Sequence, residues 1–163
     1  MESKKKDVVV LFRLGSYSFA LSKEFIEQVT KCLPIVDSCS LPKIFSGFFS
    51  FGQIHLPCLR LDWLIGHEDF MSFNPEKSSQ VVILRPNMKN SKNKLGVLID
   101  DVEATFVPRR DQLKPLRKEL KQNKWLQGEI LFGEKSYLLI NQDRLFQSIE
   151  DYCLAEISNH SAL

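Results

Sequence analysis

No hydrophobic run in this sequence is long enough to cross a bilayer as a helix. Val8 to Phe12 is the longest plain apolar stretch, against the roughly 20 residues that a membrane helix needs. It is also too short for the apolar region of a secretory leader, although the preceding MESKKKD is basic. The chain therefore reads as cytoplasmic and not inserted in a membrane. Cysteine patterning is absent as well. Cys32, Cys39, Cys58 and Cys153 form no C-x-x-C pair and no dense framework. A chain of 163 residues buries about 70% of its unfolded surface and needs no disulfide staples. Buried, reduced thiols are the expectation.

Catalytic motifs are missing too. The three histidines, His55, His67 and His160, are dispersed, and His67-Glu68-Asp69-Phe70-Met71 departs from H-E-x-x-H. No G-x-S-x-G, G-x-x-x-x-G-K-[ST] or G-x-G-x-x-G occurs. Asp100 and Asp101 are neighbours, and on a strand neighbours face opposite sides, so they cannot share one reacting centre. His55, within QIHLP, reads as a partly exposed strand position. The sequence supports no catalytic residue, no cofactor and no metal site. It reads as a non-enzyme.

What is present is a repeat. Gly47 to Gly66 reads GFFSFGQIHLPCLRLDWLIG, two extended apolar runs split by a glycine turn and followed by a short apolar tail. At an offset of 81 the outline returns as GEILFGEKSYLLINQDRLF, Gly128 to Phe146. Gly47/Gly128, Phe51/Phe132, Gly52/Gly133, Asp62/Asp143 and Leu64/Leu145 are identical at that offset. An internal duplication follows. The expected organisation is one domain over 7–157 with two intimate halves, roughly 7–79 and 80–157, and flexible tails at 1–6 and 158–163.

The rest of the chain is mostly strand-like. Val8 to Leu14 and Tyr17 to Leu21 flank Gly15-Ser16 and predict a hairpin. Ser22 is placed to cap a short helical turn with Phe25, Ile26 and Val29 on its apolar side. Pro57 predicts a bulge or an edge position in its strand. Val81 to Arg85 restates the opening strand, and Leu95 to Val102 and Glu103 to Pro108 supply two more. An irregular Pro-bearing connection runs from Leu33 to Pro42, and polar links run from His67 to Ser79 and from Pro86 to Lys94. Asp143 is placed to cap a final helix with Leu145, Phe146, Ile149, Tyr152, Cys153 and Ile157 on one side. Small repeated antiparallel units hide their edges by closing. A mainly β fold of two small five-stranded β-barrels, arranged as a pseudo-repeat with a C-terminal helix, is the expected architecture.

One charge feature stands out. Pro108 to Lys124 holds Arg109, Arg110, Lys114, Arg117, Lys118, Lys121 and Lys124 against Asp111 and Glu119, a net of +5, while the remainder of the chain carries −3. A solvated loop with a short exposed helix is the plainest reading, and docking of an acidic partner is the next. Nucleic acid fits poorly, because no aromatic residue is interleaved with the cations and only Trp125 stands beside them.

The stretches VVLFRLGSYSFAL (Val9 to Leu21), GFFSFGQIHLPCLRL (Gly47 to Leu61, with Gly47 and Pro57 ten apart) and LGVLIDDV (Leu95 to Val102) carry a further signal in their order and spacing. Together with Trp125 to Phe146 they resemble the CheW-like family, adaptors that couple chemoreceptors to a histidine kinase in bacterial chemotaxis. The resemblance implies twin five-stranded barrels and no catalysis. It also implies one surface that binds the kinase regulatory domain edge to edge, and a groove that takes the chemoreceptor cytoplasmic tip. By position it implies partner-binding roles for Ile26 and Val29 in the first half and for Val97, Val102 and Thr105 in the second. Gln28 and Gly52 stand where the family carries an acidic residue and an arginine that form an ion pair, so both charges are lost together and neither is stranded. Arg60 replaces a usual aspartate, with Asp62 two residues on. The function expected is a scaffold of a chemosensory array. The alternative is a regulatory module of another kinase pathway, such as pilus-based motility.

Overall fold

Val9–Leu14 (β1) is apolar at every position but Arg13, the composition of a strand covered on both faces. Gly15 turns the chain at φ 60° into Tyr17–Ser22 (β2). The turns of two further hairpins repeat the device with Gly52 at 63° and Gly133 at 65°, and no other residue type among those described has positive φ. Positive φ at the first central residue alone marks type II′ turns, whose twist matches that of the flanking strands. The computed structural model describes residues 7–31, 35, 42–65, 80–85 and 94–161, with side chains to residue 155. The remaining elements are Ile26–Lys31 (β3), Phe45–Phe51 (β4), Ile54–Leu59 (β5), Leu61–Leu64 (α1), Gln80–Leu84 (β6), Leu95–Ile99 (β7), Asp101–Phe106 (β8), Leu113–Lys114 (β9), Leu126–Phe132 (β10), Lys135–Ile140 (β11) and Gln142–Ser161 (α2). The expected connections at 33–42, 67–79 and 86–94 fall almost wholly outside the described residues.

The offset of 81 carries β4 onto β10 and β5 onto β11 residue for residue. Their irregularities coincide as well. The ladder slips between Phe45 and Gly47 in one hairpin and between Leu126 and Gly128 in the other. The duplication is therefore structural, down to the position of a bulge.

Two sheets result, in the orders β8-β1-β2-β11-β10-β9 and β3-β6-β7-β5-β4. Each draws its central hairpin from one half of the chain and its flanking strands from the other. The expected division near residue 79 therefore does not separate the sheets. Exchange covers both sides of each central hairpin, where separate halves would leave apolar strand edges unpaired. The six-stranded sheet also curls. Tyr137 on β11 donates to Glu103 on β8 at 2.6 Å, although β1 and β2 lie between those strands in the ladder. Flat, they would stand roughly 14 Å apart, three spacings of about 4.8 Å. The rings of Phe106 and Phe132 draw the same side together at 4.6 Å. The sheets are barrel-like without a closed ladder, and β9 gives one of them a sixth strand.

Curling gives the six-stranded sheet two buried faces. Phe12, Leu14, Phe19, Leu21, Leu138 and Ile140 join the main core shared with the other sheet. Val9, Leu11, Ala20, Ile130 and Tyr137 fill the inside of the curl. Leu126 and Ile130 are four apart yet lie on opposite faces, because the bulge at Gln127 inverts the alternation between them.

Four local expectations change. Ser22 precedes a 3-10 turn at Lys23–Phe25, and Ile26 and Val29 belong to β3 instead of a helix. α2 is capped by Asn141, whose side-chain oxygen accepts the Arg144 N–H at 3.1 Å, and not by Asp143. α2 continues to Ser161, so most of the expected C-terminal tail is helical. Pro57 lies in an inner strand, one residue before the parallel ladder of Cys58 and Leu59 with β7 begins. Cys58 is buried and Cys153 packs on the main core; Cys32 and Cys39 lie outside the described residues. Leu145, Phe146, Ile149 and Tyr152 seat α2 on that core, and the Gln142 amide donates to the Arg85 carbonyl at 2.5 Å.

Candidate partner-binding surfaces

The two edge strands β3 and β8 occupy equivalent places in their sheets. Each carries a one-residue bulge at a glutamate: Glu27 between Ile26 and Gln28, and Glu103 between Val102 and Ala104. The registers pair Ile26 with Val102 and Val29 with Thr105 as matched positions. The extra residue also explains the helix-like spacing of Ile26 and Val29. Three residues along a regular strand change faces, and the bulge restores the face. Both pack against the main core while remaining partly exposed, as does Val102, and Thr105 is exposed. The sequence IEQV against VEAT, a β-branched residue on either side of Glu-x, was the available sign of this symmetry.

Not every expected contact residue reaches the surface. Val97 is 2% exposed in the middle of the five-stranded sheet, so it supports the surface from behind and offers none. Gln28 is exposed on β3 and Gly52 turns the β4–β5 hairpin. They belong to strands at opposite edges of one sheet. A side chain at Gly52 would have open space, yet its left-handed φ would cost any other residue about 1 kcal/mol. Arg60 and Asp62 answer one another: the guanidinium meets the carboxylate at 2.7 and 3.3 Å, with both side chains largely buried.

The bulge glutamates are held in place. Glu27 meets Lys94 at 2.9 Å. Glu103 accepts from Lys135 at 2.9 Å and from Tyr137 at 2.6 Å. Burial pushes the Glu103 carboxyl up, but the hydrogen bonds from Tyr137 and Lys135 outweigh it and leave it below the usual range. Burial and the same carboxylate push the Tyr137 hydroxyl up to about 12. A tyrosine whose folded value is raised contributes stability that is complete below its unfolded value near 10.0, and that contribution is lost as pH climbs through the folded value. Spectrophotometric titration is expected to show a tyrosine ionising near pH 12 that Tyr137→Phe removes. Normal titration of all three tyrosines would contradict the pairing.

Sequence reasoning did not find the pairing of Glu103 with Tyr137 or that of exposed Arg117 with buried Glu129, since each joins residues on different elements. The basic segment forms two 3-10 turns, Arg110–Gln112 and Lys118–Leu120, with β9 between them. Its cations are exposed. Ser50 Oγ and His55 Nδ1 lie 3.2 Å apart on the surface. Among the described residues no group of three or more His, Cys, Asp or Glu is placed to hold a metal. No helix described is long and apolar enough to cross a membrane.

The sequence profile of the CheW-like domain matches residues 8–150. The chain belongs to the CheW-like domain family. The match spans every strand and the first half of α2. Among solved structures, the scaffolding protein TtCheW from Thermoanaerobacter tengcongensis has a similar fold, with a TM-score of 0.69 over 86% of this chain and 87% of that one. The two are 16% identical, so that likeness speaks for the fold alone. No curated protein matches by sequence. In this CheW-like domain the expected twin-unit architecture is present.

Proposed function

We propose that this chain is a non-catalytic cytoplasmic scaffold that couples chemoreceptors to a histidine kinase of the CheA type in bacterial chemotaxis. The CheW-like match across 8–150 carries this reading. β3 and β8 support it as sheet edges whose backbone groups can add a partner strand, flanked by the half-buried Ile26, Val29 and Val102 and by exposed Thr105. The kinase regulatory domain docks at such an edge, and the chemoreceptor cytoplasmic tip lays a helix face in the groove. Size-exclusion chromatography with a chemotaxis-type kinase regulatory domain at tens of micromolar is expected to show co-elution. Thr105→Arg is expected to weaken it about tenfold, or about 1.4 kcal/mol, without moving the melting temperature. Separate elution of the native pair would defeat the proposal.

A second reading is favoured by Gln28 and Gly52. Without the charged pair, the same surfaces serve as a regulatory module of another kinase pathway, such as pilus-based motility. Binding of a kinase domain with no capture of a chemoreceptor tip would select it.

A further inference from the structure

The second copy of the duplicated unit carries two additions that the first lacks among the described residues. The basic segment contributes β9 and its flanking turns, for which the five-stranded sheet has no counterpart. α2 runs for 20 residues where α1 has 4. These additions meet. Between them lies a cleft of about 600 Å³ whose apolar floor is Pro115, Leu116 and Leu126.

Lys121 and Lys124 stand on one side of it and Arg144 on the other. None of the three makes an ion pair among the described residues, whereas Arg109 and Arg117 of the same segment are committed to Asp111 and Glu129. The helical wall consists of Arg144, Gln147, Ser148 and Asp151, a spacing that puts one stripe on one face. Leu145, Ile149 and Tyr152 turn the opposite side into the core. The one carboxylate on the wall, Asp151, already accepts the Gln147 amide at 3.0 Å. The cleft therefore combines an aliphatic floor with a net charge of +2, from Lys121, Lys124 and Arg144 against Asp151.

We propose that this cleft docks an acidic peptide segment of a partner protein, one that places a leucine-like side chain on the floor and carboxylates against Lys121, Lys124 and Arg144. Nucleic acid is disfavoured by the absence of a stacking face. Trp125 is 2% exposed beneath the loop, and the floor is aliphatic. A volume of this size suits a few side chains. The site is separate from β3 and β8, and it does not depend on the coupling role.

The test uses the full chain and a fluorescein-labelled peptide of leucines flanked by glutamates, followed by fluorescence anisotropy at low salt. Lys121→Glu with Lys124→Glu is expected to weaken binding about tenfold, while Arg110→Glu with Lys118→Glu, an equal change of net charge outside the cleft, leaves it within about twofold. Gln147→Trp fills the cleft without altering charge and is expected to abolish binding, with circular dichroism reporting that each variant is folded. A leucine-free oligoglutamate is expected to bind more weakly than the leucine peptide. Failure of the leucine peptide to bind overturns the proposal. So does equal loss in both charge variants, which would mean a diffuse field, or tighter binding of oligodeoxythymidine than of the peptide.

Discussion

Gly96→Ala is expected to destabilise the domain by about 3 kcal/mol, toward the upper end of the usual cost of overpacking. A Cβ at Gly96 would stand 2.3 Å from Phe49 Cε1, 2.8 Å from Cζ and 3.1 Å from Val81 Cγ1. Phe49 is 1% exposed and Val81 is fully buried, so neither has free space to enter. The backbone cannot retreat either. Gly96 is paired with Ile83 on one side and Cys58 on the other. Losing a glycine also stiffens the unfolded chain, an effect of the opposite sign worth about 0.4–1 kcal/mol. The clash wins.

The duplicated unit supplies the control. Ala20 pairs with Leu139 in the six-stranded sheet as Gly96 pairs with Cys58 in the other, and the offset of 81 puts Ile130 in the place of Phe49. One unit thus packs alanine with isoleucine, and the other packs glycine with phenylalanine. Phe49→Ile alone should leave unfilled space and cost about 2 kcal/mol. Combined with Gly96→Ala it should recover more than about 1 kcal/mol of the summed loss. Urea unfolding followed by tryptophan fluorescence measures all four corners of the cycle. Strict additivity would refute the exchange of volume between these positions.

Arg117→Ala has the second-largest expected effect, about 2–3 kcal/mol at neutral pH. Glu129 is 7% exposed and accepts from the Arg117 N–H at 2.9 Å, from its guanidinium at 2.5 and 3.1 Å, and from Ser136 Oγ at 2.9 Å. Removing the guanidinium strands a buried carboxylate, which typically costs about 3–5 kcal/mol. Here the arginine side chain is 52% exposed, and solvent screening lowers the figure.

The pH dependence separates charge from packing. The Arg117 hydrogen bond holds the Glu129 carboxyl below its ordinary 4.5 despite burial, with Ser136 assisting. A depressed folded value means that the stabilisation is complete above the unfolded value and is lost as pH falls through the folded one. Melting curves of the native chain and Arg117→Ala should therefore be well separated at pH 7 and converge in acid. An equal separation at both pH values would show that the arginine acts through its aliphatic stem.

The features legible in the sequence were those made by neighbours along the chain. Glycine turns and apolar alternation set the hairpins, so the offset matched β4 with β10 and β5 with β11, although the repeat read from Gly47 and Gly128 starts two residues after those strands begin. Bulges were not legible, and they account for Ile26 and Val29, whose spacing of three reads as helix until Glu27 is seen to be extra. Strand exchange was hidden for a different reason. Nothing local in β3 distinguishes β6 from β2 as its partner; the choice is made by which apolar edges remain uncovered. Val97 shows the corresponding limit for the candidate site, because a position shared with a family does not reveal whether its side chain reaches solvent. Asn141 capped α2 where Asp143 was expected, since either residue type serves and only the start of the core stripe decides.

Because each sheet borrows strands across the chain, the order of synthesis differs from the order of completion. β1 and β2 leave the ribosome ahead of the other strands, yet their ladder neighbours β8 and β11 follow only after β7, so this hairpin must wait with both edges unpaired. The five-stranded sheet needs nothing beyond Ile99 and can assemble while the remainder is still being made. The nascent chain therefore holds the apolar β1–β2 hairpin without its ladder neighbours while β3 to β7 are made, an interval in which a chaperone has much to do.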